Sequence, residues 1–287
     1  MGMQEVLVGA DGSVAGRKAE DWAAQRAKDL GLRLNLVRVV PGPWAYRRPS
    51  QYRDAMAQAQ ALLEAESVRV SALVPSVEIV LTRRTGETPS VLRLLSDDAE
   101  TVVVGSDRPP DRHGEGFGSV SFQVAVLSRS PVAVIPDVGS GDHAGVVVGV
   151  DGSADSAIAL DLAGMEALRM GEELTVVYAE PNVDAPSTAG KSSPGGREAG
   201  QDGQMLLSTA AGTARDSNPG LVVHEVLELD DSPADALLRA AAHARLLVIG
   251  CRGRGGVRKP VGAIAEKILL HLPCPTIVTR PATHRAA

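Results

Sequence analysis

The chain has 287 residues, of which 44% are hydrophobic, and a formal net charge of −6. This composition excludes wholesale disorder and fits about two domains of ordinary size. The acidic balance and an aromatic content of only 2% argue against binding to nucleic acid or to an anionic membrane. We see no signal peptide and no apolar run of membrane length, and Cys251 and Cys274 form no cysteine framework. A cytoplasmic location is therefore expected.

The first half of the chain alternates short runs rich in Val, Leu and Ile with longer Ala-rich stretches. Such runs are typical of strands that are covered on both faces, and the stretches between them have a helical composition. We predict strands near 4–9, 34–40, 77–82, 101–105 and 132–135, and helices over 14–30, 52–72, 88–97 and 119–128.

The second half repeats this alternation. Strands are predicted near 145–150, 173–179, 221–228, 246–250 and 275–279. The pattern predicts an α/β fold in each half, with a five-stranded, mainly parallel sheet and helices on both faces. The segments after the second strands, 41–53 and 181–204, are predicted as loops, and the Pro, Gly and Ser content of the latter favours mobility.

Three pairs of matching segments indicate an internal duplication. Val-Gly-x-Asp-Gly-Ser stands at 8–13 and at 148–153, an offset of 140 residues. The fourth strands and the Ser-Pro and Cys-Pro starts of the last strands match at offsets of 145 and 144. Matches in one order at nearly one spacing predict two domains, at 1–138 and 145–287, joined by a linker at 139–144.

The aspartates that follow the first strands are the first candidate binding residues. Ligands of open α/β sheets bind beyond the carboxyl ends of the strands, where Asp11 and Asp151 could accept hydrogen bonds from a ribose hydroxyl or a base amino group. Alternatively, each Asp-Gly makes a turn, and Ser13 or Ser153 caps the next helix. The two roles are compatible.

The glycine-rich loop after the fourth strand of the second half is the other candidate. Gly250, Gly253 and Gly262 would let backbone N–H groups approach a phosphate, and the next helix adds a favourable dipole. Four cations in this loop favour an anionic ligand: Arg252, Arg254, Arg258 and Lys259. The alternative is a solvated surface loop.

These motifs carry a resemblance to the universal stress protein family. Its members have Val-Gly-x-Asp-Gly-Ser at the first strand, and Gly-x-x-Gly, nine residues and Gly-Ser or Gly-Thr after the fourth. The chain resembles that family twice, over nearly its full length. The resemblance implies two tandem Rossmann-like (adenine nucleotide alpha hydrolase-like) domains. It further implies a sensor or adaptor rather than an enzyme, with ATP or another adenine nucleotide as cofactor and any role of Mg²⁺ left open.

The same resemblance supplies expectations for residues and assembly. It implies that Asp11 and Val39 in the first copy, and Asp151 and Ala179 in the second, line the adenosine side of a site. The second-strand residues would act through their backbone N–H and C=O groups. It also implies that the two halves pack as an intramolecular pseudo-dimer, with a homodimer as a further option.

Both copies depart from the family motif. The first has Gly105, Gly118 and Ser119, but Arg108 replaces the second turn glycine. The second keeps both turn glycines, but only eight residues precede Gly262, and Ala263 replaces the hydroxyl residue. That loss removes a hydrogen bond to phosphate worth about 1–3 kcal/mol. We rank the second copy as the better anion site, because its loop has more glycine and more cations.

No catalytic or metal-binding set emerges from the sequence. The histidines lack metal-ligand spacing: His113, His143, His224, His243, His271 and His284. Cys251 is expected to be a small packing residue in place of Ser106 rather than a reactive thiol. Trp44 and Tyr46, with Arg47 and Arg48, could cover a ligand or a partner, although packing over the sheet edge is favoured.

Two other functions remain as alternatives. A nucleotide-independent interaction module with degenerate pockets would keep the fold without the ligand. A nucleotide hydrolase would need a general base and a metal-ligand set, which we do not find.

Overall fold

The computed structural model describes residues 5–107, 120–137, 143–180, 194–253 and 260–281, with the backbone alone for 194–199. The chain divides into two compact units, described up to Asp137 (unit 1) and from His143 to Pro281 (unit 2). Most of the predicted linker, at 139–142, lies outside the described residues. Within the described ranges, no helix has the length and apolarity to cross a membrane.

Unit 1 is a parallel α/β sheet with the strand order β3-β2-β1-β4-β5. Its elements in chain order are β1 (Glu5–Gly9), α1 (Val14–Leu30), β2 (Arg33–Val40), a 3-10 turn (Pro43–Ala45), α2 (Pro49–Leu73), β3 (Ile79–Thr85), α3 (Thr88–Leu95), a second 3-10 turn (Ser96–Asp98), β4 (Ala99–Ser106), α4 (Val120–Leu127) and β5 (Val132–Pro136).

Unit 2 repeats this topology with the strand order β8-β7-β6-β9-β10, again all parallel. Its elements are β6 (Val146–Gly149), α5 (Ala154–Met170), β7 (Leu174–Ala179), α6 (Pro194–Ser217), β8 (Val223–Glu228), α7 (Pro233–Ala240), β9 (Leu246–Ile249), α8 (Ala263–His271) and β10 (Thr276–Val278). The predicted α/β fold, with five parallel strands in each of two tandem units, is confirmed.

The first strand of each unit lies in the middle of the core. Val6, Leu7 and Val8 are all fully buried. Since successive strand side chains point to opposite faces, both faces of the sheet are covered. The first strand pairs with the second strand on one side and with the fourth on the other, so the connections leave it in opposite directions. A crevice therefore opens at the carboxyl ends of these strands.

Two of the predicted loops are shorter in the structure than the sequence suggested. The helix α6 begins at Pro194, inside the predicted loop 181–204, and α2 begins at Pro49, inside the predicted loop 41–53. Leu207 and Ala211 bury one face of α6. Once such a packed helix is nucleated, it extends toward its N-terminus through residues of weak propensity, and a proline is well tolerated in its first turn.

Candidate functional site

The turn after β1 is closed by Asp11 and Ser13. Asp11 Oδ1 accepts hydrogen bonds from Ser13 N at 2.9 Å and from Ser13 Oγ at 2.7 Å. Ser13 Oγ in turn accepts from Gly16 N at 2.9 Å, which caps α1. Gly12 has a φ of 82°, a conformation that L side chains rarely adopt. The turn-and-cap role foreseen for this motif is therefore present in unit 1.

The turn after β6 has the same construction. Asp151 Oδ1 accepts from Ser153 N at 2.9 Å, and Ser153 Oγ accepts from Ser156 N at 3.2 Å. The other carboxylate oxygen, Asp151 Oδ2, faces the glycine-rich loop after β9. A Cβ atom on Gly253 would lie only 2.6 Å from it, so only glycine lets the loop backbone approach this carboxylate so closely.

The two ends of that loop lie together. The amide of Gly262 donates to Cys251 O at 2.8 Å, and a Cβ on Gly262 would be 3.7 Å from the amide nitrogen of Gly253. The fold thus brings together Asp151, Gly253 and Gly262, three of the residues proposed from the sequence. We call this cluster, with Gly250 and Ala263, the second site.

The helix α8 starts at the second site. Gly262 is its N-cap, with no side-chain cap, and Ala263 is its first residue. The first amides of a helix have no partner within the helix and favour an anion. Glu266, in the same first turn, opposes a negative ligand.

Asp155 contacts the glycine-rich loop beside the second site, and it was not among the residues predicted from the sequence. Its Oδ2 accepts hydrogen bonds from Cys251 Sγ at 3.0 Å and from Arg252 Nε at 3.3 Å. Its side chain is only 13% exposed. In the sequence, Asp155 resembles an ordinary acidic residue of a first helical turn. A comparison of the two copies at the offset of 140 would have singled it out, because Ala15 is its counterpart.

The environment of Cys251 argues against a reactive thiol. Burial raises the pKa of this thiol, and the neighbouring carboxylate of Asp155 raises it further. The thiolate is the nucleophilic form of cysteine, so the side chain acts here as a small buried donor. Burial also raises the pKa of Cys274, to about 12.

The corresponding site of unit 1 is described only in part. A Cβ on Gly105 would lie 2.4 Å from the carbonyl oxygen of Ala15, so the end of β4 touches the start of α1. The remaining candidates of this loop, Arg108, Gly118 and Ser119, lie outside the described residues.

Val39 in β2 and Ala179 in β7 are equivalent residues. Each lies two residues beyond the last position at which its strand pairs with the first strand of its unit, β1 or β6. Gly9 is the last residue of β1 that pairs with β2, opposite Val37, and Gly149 is the last of β6, opposite Val177. Backbone groups two residues apart in a strand point the same way. The N–H and C=O groups of Val39 and Ala179 therefore point past the end of the first strand, toward the side where the Asp-Gly-Ser turn lies.

The aromatic loop after β2 differs from its prediction. Trp44 is 77% exposed and lies against Gly42, where a Cβ would be 2.1 Å from Trp44 Cη2. The favoured prediction of packing over the sheet edge is therefore wrong for Trp44, because glycine at position 42 lets the ring fold back on its own loop. Tyr46 does pack, with its ring 5.6 Å from that of Tyr52.

In the part of the chain that the structure describes, no group of three or more His, Cys, Asp and Glu side chains is arranged to hold a metal ion.

Known proteins resemble this chain over nearly its whole length. The universal stress protein family model matches residues 3–136 and 145–280. Universal stress protein Rv1996 of Mycobacterium tuberculosis is 30% identical over 301 residues, covering 96% of this chain and 94% of its own. Universal stress protein Rv2623 of the same organism is 30% identical over 295 residues, covering 96% of each chain.

A solved structure shows the same fold. The crystal structure of a universal stress protein from Archaeoglobus fulgidus DSM 4304 has a TM-score of 0.71 and covers 98% of this chain and 99% of its own, at 19% identity. The double match to the family model, together with relatives that align from end to end, establishes that the chain belongs to the universal stress protein family, with two such domains in tandem.

Proposed function

We propose that this chain is a stress-response protein that binds an adenine nucleotide, with ATP as the leading ligand, at the carboxyl edge of its sheets. It would act as a sensor or adaptor and would not turn the ligand over. The proposed ligand contacts are the aspartate after the first strand, the backbone of the second strand and the glycine-rich loop.

The convergence of Asp151, Gly253 and Gly262 is the observation that carries this proposal. A carboxylate oxygen of Asp151 lies where a Cβ of Gly253 would come within 2.6 Å. A ligand held there would meet an acceptor for ribose hydroxyls and, at the start of α8, helix amides suited to an anion. The backbone of Ala179 would offer its N–H and C=O groups to an adenine edge.

The first site, in unit 1, is proposed on the equivalent residues. Asp11 and Val39 would hold the adenosine side, and the start of the phosphate side would lie at Gly105. The other proposed residues of this side are Arg108, Gly118 and Ser119. The side chain of Arg108 would then pair with a phosphate or fill its pocket.

Titration calorimetry with ATP, ADP and AMP tests the proposal. We expect saturable heat and a rise in Tm with at least one of these ligands. Both tryptophans, Trp22 and Trp44, belong to unit 1, so a change in tryptophan fluorescence reports on the first site. Absence of heat and of any thermal shift at millimolar ligand would refute nucleotide binding.

Substitution of Gly253→Asp should abolish binding at the second site. The new carboxylate would overlap the Asp151 side chain and repel a phosphate. Gly212→Asp is the matched control, because it adds the same charge on α6, where a Cβ meets no atom within 4 Å. Unchanged affinity in Gly253→Asp would move the binding to the first site.

A nucleotide-independent interaction module is the second candidate function. The 77% exposure of Trp44 favours it, since large exposed aromatic side chains are enriched in protein interfaces. Pull-down with the Trp44→Ala variant, compared with the unsubstituted chain in the absence of nucleotide, distinguishes this function. Steady release of phosphate from ATP above background would instead support the third alternative, a nucleotide hydrolase.

Location and assembly complete the proposal. We expect the protein in the cytoplasm, where its two thiols would stay reduced. Cell fractionation tests the location, and light scattering of the purified chain tests for a homodimer.

A further inference from the structure

We propose that copies of this chain associate head to tail, with the basic edge of unit 1 in one copy docked on the acidic edge of unit 2 in the next. The basic edge consists of Arg47, Arg48, Arg53, Arg83 and Arg84, and the acidic edge consists of Glu180, Glu228, Asp230 and Asp231. The inference goes beyond nucleotide binding and does not depend on it.

The basic edge lies where β3 ends. Arg83 and Arg84 belong to this strand, which pairs with β2 at the edge of the sheet of unit 1. The hydroxyl groups of Tyr52 and Thr85 are hydrogen-bonded at 3.0 Å, which brings the start of α2 to the end of β3. Arg53 follows Tyr52 in α2, and the loop before this helix supplies the other two arginines. The fold therefore gathers residues from a strand, a helix and a loop into one basic surface.

These arginines have no carboxylate partner. None of the five forms an ion pair with an acid among the residues that the structure describes. Arg83 donates to Met56 O at 3.0 Å, and Arg84 donates to Arg83 O at 3.2 Å. Most other arginines of unit 1 are paired with an acid: Arg17, Arg26, Arg33, Arg69 and Arg129. The acids nearest in the sequence, Asp54 and Glu87, still leave a net charge of 5 − 2 = +3, which an acidic partner would offset.

The equivalent edge of unit 2 has the opposite charge. Arg84 of β3 stands opposite Val39 of β2 in the register of unit 1. Glu228 of β8 stands opposite Ala179 of β7 in the register of unit 2. Since Val39 and Ala179 are equivalent residues, Arg84 and Glu228 occupy equivalent positions. The duplicated fold thus presents a cation in one unit and an anion in the other.

The acidic edge is a compact group. The amide of Glu180 donates to the carbonyl oxygen of Glu228 at 3.2 Å, and the amide of Asp230 donates to Glu228 Oε1 at 3.3 Å. Arg239 pairs with two of the four carboxylates, which leaves a net charge of 1 − 4 = −3. The segment 181–193 lies outside the described residues, and its sequence has one aspartate and one lysine, so it does not change this balance.

Exposed apolar side chains accompany both edges. Trp44 is 77% exposed in the loop that leads to the basic edge, and Val226 and Leu229 beside the acidic edge are 36% and 38% exposed. An aromatic anchor with charged residues around it is typical of protein interfaces. Because two unlike surfaces meet, each end of a pair keeps one free edge, so the assembly adds further copies or closes into a ring.

Charge reversal on the full chain tests the proposal. Arg53→Glu with Arg84→Glu reverses the basic edge, and Asp230→Lys with Asp231→Lys reverses the acidic edge. Sedimentation velocity over a range of concentrations measures association. Circular dichroism verifies the fold, and the corresponding Gln and Asn variants replace any pair that fails to fold. None of these residues is a proposed ligand contact, so a failure here leaves nucleotide binding untouched.

The matched control is Lys28→Glu with Arg93→Glu. It changes the net charge as much as the reversal of the basic edge does. Both residues lie in the last turns of helices, α1 and α3, and therefore near the amino ends of the strands that follow. This double variant should associate as the unsubstituted chain does.

We expect the unsubstituted chain to associate at low ionic strength. Its apparent Kd should weaken about tenfold between about 0.01 M and about 0.1 M salt, because the Debye length shortens from about 30 Å to about 10 Å. Each reversed variant should stay monomeric where the unsubstituted chain associates. An equimolar mixture of the two should associate again, because one variant then has two acidic edges and the other has two basic edges.

Three results would overturn the inference. The first is an unsubstituted chain that stays monomeric at about 0.1 mM and low ionic strength. The second is association that persists in both reversed variants, which would place the interface between copies elsewhere. The third is a mixture of the reversed variants that stays monomeric.

Discussion

A cluster of buried charges lies between α1 and α2 of unit 1. Glu20 and Glu66 are 0% and 1% exposed, and the guanidinium of Arg69 donates to both, at 2.7 and 2.6 Å. Burial raises the pKa of Glu20 to about 7. Although burial opposes it, hydrogen bonds from Arg69 and Arg17 hold the pKa of Glu66 below its ordinary value. The two carboxyls therefore keep one proton below about pH 7, on Glu20.

This proton makes the stability of the protein depend on pH. The pKa of Glu20 is above its ordinary value of 4.5 in the folded state, so the folded state binds the proton more tightly than the unfolded state. Its contribution to stability is complete below about pH 4.5 and is lost as the pH rises through about 7. Glu20→Gln mimics the protonated form, and we expect it to stabilise the protein at pH 8.5 by about 1–2 kcal/mol relative to its effect at pH 5.

Urea denaturation at both pH values measures this effect. Glu64→Gln, an exposed carboxylate on α2 that accepts a hydrogen bond from Gln60, is the control and should show no such pH dependence. Equal effects of Glu20→Gln at pH 5 and pH 8.5 would contradict a buried proton at Glu20.

At the scale of the elements, β4 and α1 are in a close contact that depends on a glycine. A Cβ on Gly105 would meet the backbone of Ala15 and Gly16 at 2.4 to 2.7 Å. Backbone cannot move aside as a flexible side chain can, so Gly105→Ala must separate the strand from the helix. We expect a loss of about 2–3 kcal/mol in the free energy of unfolding.

Gly212→Ala is the matched substitution for that measurement. Gly212 lies inside α6, and a Cβ there meets nothing within 4 Å. Alanine favours a helix interior over glycine, so this variant should gain about 0.5–1 kcal/mol. Chemical denaturation of both variants gives the two values, and similar small effects would show that the contact at Gly105 is not tight.

At the scale of the whole molecule, the two units indicate that the chain can be divided into two fragments. Each unit has five parallel strands and buried side chains of its own. We expect fragments 1–138 and 145–287 each to unfold cooperatively, because domains with separate cores fold as units. Thermal unfolding followed by circular dichroism measures this, with the full chain as reference.

The pH dependence of stability should differ between the two fragments. Glu20 belongs to the first fragment, and its counterpart in the second, at the offset of 140, is Leu160. Only the first fragment should therefore lose stability as the pH rises through about 7. A second fragment with the same loss, or a fragment without a cooperative transition, would contradict this division of the chain.

The sequence by itself determined the duplication, the strand and helix order and the Asp-Gly-Ser turns. These features depend on local patterns, and helix α1 begins and ends where its composition predicted, at Val14 and Leu30. It also placed Asp151, Gly253 and Gly262 in one candidate site, because the carboxyl ends of parallel strands share one edge of a sheet.

Only the tertiary structure decided which charges meet. Arg252 and Asp155 are 97 residues apart, and Arg69 and Glu20 are 49 apart. The hydrophobic periodicity of the sequence does not predict such pairs, because they depend on how a loop or helix packs against a helix that is distant in the sequence. The pairing of Arg252 changes the site most, since a residue that composition marks as a ligand for phosphate is bound instead to a carboxylate of its own chain.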